Sequence, residues 1–247
     1  MLQRLRTARG VLRSVGIYYG HRAHAAAMDR LYRQFVRPGD LVFDVGAHVG
    51  DRVGAFRRLG ARVVAVEPQP AMVLALKIIY GRDTKVEIVR SAVGASGGST
   101  TMMINADNPT VSTVSPAFIL AANGAAGWEG QAWDKRIAVD MTTLDALIAS
   151  RGTPSFIKID VEGFEREVLM GLTQPVPALS FEFTTIQRDI AQACIGRCAT
   201  LGYARFNAAL GESQELGDWR SATEMSQWLA ALPHEANSGD IYAALAR

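Results

Sequence analysis

The chain has 247 residues, of which 49% are hydrophobic and 20% charged, with a formal net charge of +2. This composition is typical of a globular protein with a buried core, and it excludes fibrous and intrinsically disordered classes. Unbroken apolar runs reach only six residues, as in 71–76, so the sequence predicts no transmembrane segment. The two cysteines, Cys194 and Cys198, provide no disulfide framework and favour a reducing, cytoplasmic location.

Positive charge is concentrated at the N-terminus. Residues 1–38 contain eight arginines and one acid, a local charge of +7, so the remainder carries −5. Such a segment is typical of a targeting or membrane-surface helix, or of a solvated helix at the edge of a domain. Apolar residues recur at helical spacing and favour the second interpretation for residues 25–36, namely Leu31, Tyr32, Phe35 and Val36. We therefore predict a basic N-terminal helical extension over residues 1–37 and a main domain over residues 38–247.

Along the chain, short hydrophobic runs alternate with helical patterns, which predicts a parallel sheet covered by helices on both faces. The predicted strands are Leu41–Val45, Arg62–Glu67, Val86–Arg90, Ser155–Asp160, Leu179–Phe183, Tyr203–Asn207 and Ile241–Leu245. The predicted helices are Asp51–Leu59, Ala71–Tyr80, Asp140–Ser150, Phe164–Met170, Asp189–Leu201 and Ala222–Leu232, with Asp51 as the N-cap of the first. We therefore expect an α/β fold with a doubly wound, mostly parallel seven-stranded sheet.

Two stretches fall outside this alternation. Ser99–Ile104 has the pattern of an extra strand or hairpin arm. Residues 105–135 show no clear period, and a connection of this length inside a compact domain is usually functional or mobile. Its aromatic residues, Trp128 and Trp133, either shape an apolar pocket over a substrate or pack back on the domain.

A glycine-rich turn follows the first predicted strand. The glycines lie at positions 46, 50 and 54, and Asp44 precedes the first by two residues. Glycine allows a sharp bend and a close approach of the backbone to a ligand, and free N–H groups at a helix start favour a polar or anionic group. This spacing differs from the G-x-G-x-x-G pattern of dinucleotide-binding proteins, which disfavours a nicotinamide cofactor. A ligand without a pyrophosphate, such as S-adenosylmethionine, fits the turn better.

A carboxylate lies where the second predicted strand ends. Glu67 follows a rigid β-branched run and stands 17 residues after Gly50. Ligands of open α/β sheets bind outside the carboxyl ends of the strands, so Glu67 is expected to face the glycine turn. A carboxylate in that position can accept hydrogen bonds from both hydroxyls of a ribose.

The stretch FDVGAHVGDRVGAFRRLGARVVAVEPQP resembles the first two motifs of FkbM-type methyltransferases. Four downstream motifs extend the resemblance over roughly residues 38–184, namely Arg90–Gly94, Thr143–Asp145, Lys158–Glu165 and Phe181–Phe183. The resemblance implies a class I, Rossmann-like methyltransferase that uses S-adenosyl-L-methionine. The cofactor-binding residues it implies are Asp44, Gly46, Ala47, Gly50, Glu67 and Pro68, with Ser91 and Ala92 flanking the adenine. His48 departs from the asparagine most often expected at its position.

Acidic residues cluster where the predicted central strand ends. Asp160 terminates that strand, Glu162 follows it, and Glu182 lies on the next strand. Methyl transfer from a sulfonium is an in-line displacement, and a hydroxyl acceptor must also lose a proton to a positioned base. Asp160 is the first candidate base and His48 the second, with Glu162 as a further catalytic candidate. Alternatively, the three acids ligate a divalent cation through oxygen, although we favour a metal-free site.

These features predict an S-adenosylmethionine-dependent O-methyltransferase acting on a hydroxyl of a small molecule or glycan. Two other functions remain open at this point: a nicotinamide-dependent oxidoreductase and a non-catalytic cofactor-binding module. A nucleic-acid partner is not expected, because the basic charge is confined to one end of the chain and no basic stripe interleaved with aromatics appears in the body.

Overall fold

The computed structural model describes residues 22–246 together with positions 9, 10, 13 and 16. Most of residues 1–20, the first part of the predicted basic extension, lies outside the described residues. No helix in the described part of the chain is both long and apolar enough to cross a bilayer.

In the described part of the chain, ten strands form two sheets. They are β1 (Leu41–Val45), β2 (Arg62–Val66), β3 (Val86–Val89), β4 (Ala92–Val93), β5 (Gly98–Ile104), β6 (Lys135–Thr142), β7 (Phe156–Ile159), β8 (Ala178–Thr184), β9 (Arg205–Leu210) and β10 (Ser238–Ala244). Seven of them make the central sheet in the order β3-β2-β1-β7-β8-β10-β9, in which β10 runs antiparallel to the other six. The predicted doubly wound, mostly parallel seven-stranded sheet is confirmed.

Helices cover both faces of this sheet. They are α1 (Arg22–Tyr32), α2 (Asp51–Arg58), α3 (Pro70–Tyr80), α4 (Pro116–Ala122), α5 (Leu144–Arg151), α6 (Glu165–Met170), α7 (Arg188–Thr200) and α8 (Ala222–Ala231). The first three contribute to the core on one face, and α5 to α8 contribute to the larger core on the other. The two central strands β1 and β7 are buried at every residue, and their side chains are apolar except for Asp44 and Lys158, as is typical of parallel sheets.

The helix α1 packs directly into the core. Met28, Leu31 and Tyr32 are buried, and the Tyr32 ring centroid lies 4.6 Å from that of Phe56 on α2. The predicted packed helix is therefore present, but it ends at Tyr32 and not at residue 36, because residues 33–35 form a turn. The boundary between an extension and a main domain at residue 37 remains a prediction.

Two local predictions were wrong. Residues 140–142 are not helical, because they complete β6, which pairs with β5 over its whole length, and α5 begins only at Leu144 with Thr143 as its N-cap. Asp51 is not the N-cap of α2, since Gly50 takes that position with φ 86° and Asp51 is the first helical residue. The extra strand at Ser99–Ile104 is confirmed as β5 of the small sheet β4-β6-β5.

The long segment between β5 and β6 folds over the carboxyl edge of the central sheet. It contains a short 3-10 helix at Pro109–Val111 and the helix α4. The Thr113 hydroxyl donates a hydrogen bond of 2.7 Å to the Glu162 carbonyl, and the Gln69 side chain donates one of 3.2 Å to the Pro109 carbonyl. These bonds attach the segment to the loops that follow β7 and β2.

Candidate active site

The glycine turn after β1 is held by its neighbours on both sides. The backbone N–H groups of Gly46 and Ala47 donate to the Val66 carbonyl, at 2.9 and 3.1 Å. Gly46 has φ 86°, a conformation that favours glycine, and a Cβ atom placed on it would lie 1.7 Å from the Asp160 carbonyl oxygen. The turn therefore joins the ends of β1, β2 and β7 at one point.

Asp44 is a buried carboxylate in β1. The residue is only 1% exposed, and its Oδ2 atom meets no hydrogen-bond donor among the described residues. Burial, with Asp51 nearby, raises the pKa of Asp44 to about 7. A buried polar atom without a partner is costly, so this atom is suited to receive a donor from a ligand.

Glu67 follows β2 and faces the glycine turn as predicted. Its Oε2 accepts from the backbone N–H of His48 at 2.9 Å, and its Oε1 accepts from that of Gln69 at 2.7 Å. Burial raises the pKa of Glu67 to about 7, although these two hydrogen bonds act in the opposite direction. Each carboxylate oxygen still has a lone pair for a ligand hydroxyl.

These groups lie in one cleft at the carboxyl edge of the sheet. The cleft opens to solvent, and the empty space in and in front of it is about 940 Å³. The predicted residues that line it are Asp44, Gly46, Ala47, His48, Glu67, Pro68, Ser91, Ala92, Asp160, Glu162 and Glu182. Gly50 is not among the lining residues, because it forms the turn into α2 behind the cleft, where a Cβ would lie 2.6 Å from the Tyr80 ring.

Three carboxylates meet at one end of the cleft. Asp160, Glu162 and Glu182 each place one oxygen within 4.8 Å of the others. Asp160 and Glu162 lie in the loop that follows β7, where Glu162 has the positive φ of 56°, and Glu182 lies in β8. The adjacency of β7 and β8 in the sheet brings them together.

A buried lysine stands behind this cluster. Lys158 is fully buried, and its Nζ donates to Asp240 at 2.8 Å and to Asp160 at 3.1 Å. Burial alone would lower the pKa of Lys158, but these two carboxylates outweigh it and raise that pKa well above its usual range. Lys158 is therefore a permanent cation at the base of the cluster.

The lysine separates the three acids by their proton affinity. Burial tends to raise the pKa of Asp160, but Lys158 and Arg52 outweigh it, so that pKa lies below its ordinary value. Burial together with neighbouring carboxylates raises the pKa of both Glu162 and Glu182 well above the usual range. Asp160 is thus the weakest base of the three carboxylates, and Glu162 and Glu182 are stronger bases.

His48 lines the same cleft. Its backbone has φ 48°, and its backbone N–H donates the hydrogen bond that Glu67 Oε2 accepts. Burial lowers the pKa of the His48 imidazole, so the ring is neutral at physiological pH and able to accept a proton.

The two tryptophans of the long segment pack back on it instead of lining the cleft. The rings of Trp128 and Trp133 contact Phe118 edge-on, with centroids at 5.2 and 6.3 Å. The Trp133 Nε1 also donates to the Val111 carbonyl at 2.7 Å. The segment instead contributes smaller side chains to the cleft, namely Thr110, Ser112 and Val114.

Sequence reasoning missed three charged residues of this cleft, Asp51, Arg52 and Glu212. Arg52 lies in the first turn of α2, and Glu212 comes from the loop after β9. Arg52 lies two residues after Gly50, so its place in the sequence could have indicated that it lies near the cleft. Glu212 has no such signal, because only the sheet order brings its loop to the cleft.

Comparisons with known proteins agree with this geometry. A family described as "Methyltransferase FkbM domain" matches residues 44–232. No curated protein sequence matches the chain.

Solved structures with a similar arrangement include three methyltransferases. A precorrin-6Y C5,15-methyltransferase from Geobacter metallireducens is 12% identical, with 90% of this chain and 87% of that chain covered and a TM-score of 0.45. A TehB-like SAM-dependent methyltransferase from Corynebacterium glutamicum is 11% identical, with 89% and 88% covered and a TM-score of 0.45. A SAM-dependent O-methyltransferase from Thermotoga maritima is 11% identical, with 92% and 66% covered and a TM-score of 0.42.

Proposed function

The chain belongs to the FkbM family of S-adenosylmethionine-dependent methyltransferases, and we propose that it methylates a hydroxyl group of a small molecule or sugar. The observation that carries the proposal is the cluster of Asp160, Glu162 and Glu182 beside the cofactor cleft. Transfer to oxygen requires a base at the reacting end of the cleft, and this cluster provides one.

The residues of the cleft fit S-adenosylmethionine. Asp44 offers a buried carboxylate oxygen without a donor, and Glu67 offers two lone pairs to the ribose hydroxyls. Ser91 and Ala92 line the cleft at the position proposed for the adenine. The cofactor carries a positively charged sulfonium, and the many carboxylates around the cleft favour a cationic ligand. When bound, it supplies the electrophilic methyl group.

We assign the proton transfer to the carboxylate cluster. The acceptor oxygen forms a bond to the methyl carbon as the carbon–sulfur bond breaks, and the electron pair of that bond stays on sulfur. The hydroxyl proton passes to a carboxylate. The sequence ranks Asp160 first, but its ion pair with Lys158 favours Glu162 as the base, because a higher pKa gives a stronger base. Asp160 then remains anionic, and His48 is the second candidate base.

The same three acids also offer an oxygen set to a divalent cation. We favour the metal-free site, because Lys158 already places a positive charge against Asp160. Methyl transfer should then be unchanged by a chelator such as EDTA. Loss of activity with EDTA and its recovery on addition of Mg²⁺ would instead assign the acids to a metal.

The test is release of S-adenosylhomocysteine in the presence of a library of hydroxylated metabolites and sugars. We expect turnover with a subset of hydroxyl acceptors, and mass spectrometry should locate the new methyl group on oxygen. Transfer only to carbon or nitrogen would contradict the proposal. Tight binding of S-adenosylmethionine without turnover on any acceptor would favour a non-catalytic module, and binding of NAD instead would favour an oxidoreductase.

We also propose that the protein acts in the cytoplasm. Its two cysteines, Cys194 and Cys198, are buried free thiols of α7, which is compatible with a reducing compartment.

A further inference from the structure

An ion pair joins two residues that line the proposed cofactor cleft. The Nη2 atom of Arg52 donates to both carboxylate oxygens of Glu212, at 3.2 and 3.1 Å. Both residues line the cleft, and 160 positions separate them in the chain. The other end of the guanidinium, Nη1, contacts Asp51.

The pair leaves part of the arginine unused. Glu212 engages only Nη2, and Arg52 Nε meets no hydrogen-bond acceptor among the described residues. Nε and Nη2 form the edge of a guanidinium that binds a carboxylate through two parallel hydrogen bonds. A carboxylate that bonds to both atoms would therefore bind Arg52 better than Glu212 does.

The two partners also differ in how firmly they are held. The Arg52 side chain is 11% exposed and fixed in α2, whereas the Glu212 side chain is 54% exposed on a loop. The other contacts of the Glu212 carboxylate are a hydrogen bond of 2.9 Å from Gln214 of the same loop and His24 Nε2 at 3.8 Å. An exposed carboxylate regains its hydration when it leaves such a pair, so its departure is inexpensive. Glu212 can be displaced, and Arg52 would stay in the cleft.

The cleft also holds a second polar group with an unused hydrogen-bonding atom. Asp44 Oδ2 has no donor in the part of the chain that the structure describes, and Asp44 and Arg52 interact electrostatically. Asp44 can accept a hydrogen bond from an ammonium group, and Arg52 can donate one from Nε to a carboxylate. The cleft therefore matches a ligand that carries both of these groups. An α-amino acid has this pair of groups.

We propose that Arg52 binds the carboxylate of the methionine part of S-adenosylmethionine and that Glu212 occupies this position when the cofactor is absent. Asp44 receives the α-ammonium group of the same amino acid. The inference rests on the proposed cofactor. It adds a binding residue to the cleft and makes Glu212 a competitor of the cofactor.

The experiment compares S-adenosylmethionine with its decarboxylated form, which keeps the sulfonium, the amine and the adenosine. Calorimetry gives the two dissociation constants for the wild type, Arg52→Gln, Arg52→Lys and Arg58→Gln. Arg58 is the matched control, because it lies on the same helix but pairs with Asp29 outside the cleft. The ratio of the two constants within each variant does not depend on how much of that variant is folded.

We expect the wild type and Arg58→Gln to prefer the carboxylated cofactor by about 10- to 100-fold, the range for hydrogen bonds between charged groups. Arg52→Gln should bind both compounds about equally, and Arg52→Lys should keep an intermediate preference. Glu212→Gln should bind S-adenosylmethionine a few-fold more tightly than the wild type.

An unchanged preference in Arg52→Gln would overturn the inference while leaving the proposed function intact. If that variant kept the preference but raised KM for an anionic acceptor, Arg52 would serve the acceptor, which also overturns it. If the wild type bound neither compound, the cofactor assignment itself would be wrong, and the inference would fail with it.

Discussion

Gly46 and Asp160 are in such close contact that a Cβ atom on residue 46 would lie 1.7 Å from the Asp160 carbonyl oxygen. The turn proposed to bind the cofactor and the loop that carries the proposed catalytic acids are therefore in backbone contact. A side chain at residue 46 must separate β1 from β7 or change the position of the carboxylate cluster.

The first prediction tests this contact with Gly46→Ala and the control Gly39→Ala. Both glycines have a positive φ, of 86° and 89°, but an added Cβ at Gly39 meets nothing within 4 Å. Gly39→Ala should lower the free energy of unfolding by about 1–2 kcal/mol through backbone strain alone. Gly46→Ala should lose about 2–5 kcal/mol, because overpacking adds to the strain. Urea unfolding measures both, and equal losses would show that the close contact is relieved at no cost.

The second prediction concerns cofactor binding by Glu67. Glu67→Ala should weaken binding of S-adenosylmethionine by about 10- to 100-fold, because hydrogen bonds from the ribose hydroxyls to a charged acceptor are lost. The control is Glu87→Ala on the neighbouring strand β3, whose carboxylate pairs with Arg151 outside the cleft. Calorimetry measures the affinity, and circular dichroism checks that both variants are folded. An affinity like that of the wild type would remove Glu67 from the site.

The third prediction concerns the base. Glu162→Gln should lower kcat by about 10²–10⁴-fold, the usual contribution of a general base, with little change in cofactor affinity. Asp160→Asn should also lower kcat, because the variant removes the charge beside Lys158. Glu167→Gln on the exposed side of α6 is the control and should keep the wild-type rate.

The pH profile separates the two acids. Since the pKa of Glu162 is raised, the wild-type kcat should increase with pH as this carboxyl loses its proton. That increase should disappear in Glu162→Gln and persist, at a lower rate, in Asp160→Asn. If both variants kept it, His48 would become the leading candidate.

The fourth prediction concerns stability and pH. The pKa of Asp44 is raised to about 7 in the folded chain, above its ordinary value of 3.8. The folded state therefore binds more protons than the unfolded state between these values, and the contribution of Asp44 to stability decreases as the pH rises through this window. The slope is at most about 1.4 kcal/mol per pH unit. Asp44→Asn should accordingly gain stability relative to the wild type between pH 5 and about pH 7.

Melting temperatures of both proteins at pH 5, 6, 7 and 8, without ligand, measure this difference. Cofactor binding should show the opposite trend, because a cationic ligand is favoured by the ionised Asp44 at higher pH. A constant difference in melting temperature across the series would mean that Asp44 is ionised throughout.

The sequence by itself determined the carboxyl ends of β1, β2 and β7, to within one residue, and the glycine turn. Asp44, Glu67 and Asp160 were found because hydrophobic runs locate parallel strands, and the carboxyl ends of parallel strands meet at one edge of the sheet. The positive φ of Gly46 is also a local property, which explains why the spacing of the glycines was informative. These are features of a few consecutive residues and their side-chain chemistry.

Only the tertiary structure decided which distant groups meet. Lys158 and Asp240 are 82 positions apart and become partners through β8 and β10, while Arg52 and Glu212 meet because the sheet order places the loop after β9 at the cleft. Residues 140–142 became a strand for the same reason, since pairing with β5 outweighed a local pattern that predicted a helix. Hydrogen-bond pairing and ion pairing depend on position in space, and the spacing of residues along one segment does not encode the partner that another segment will supply.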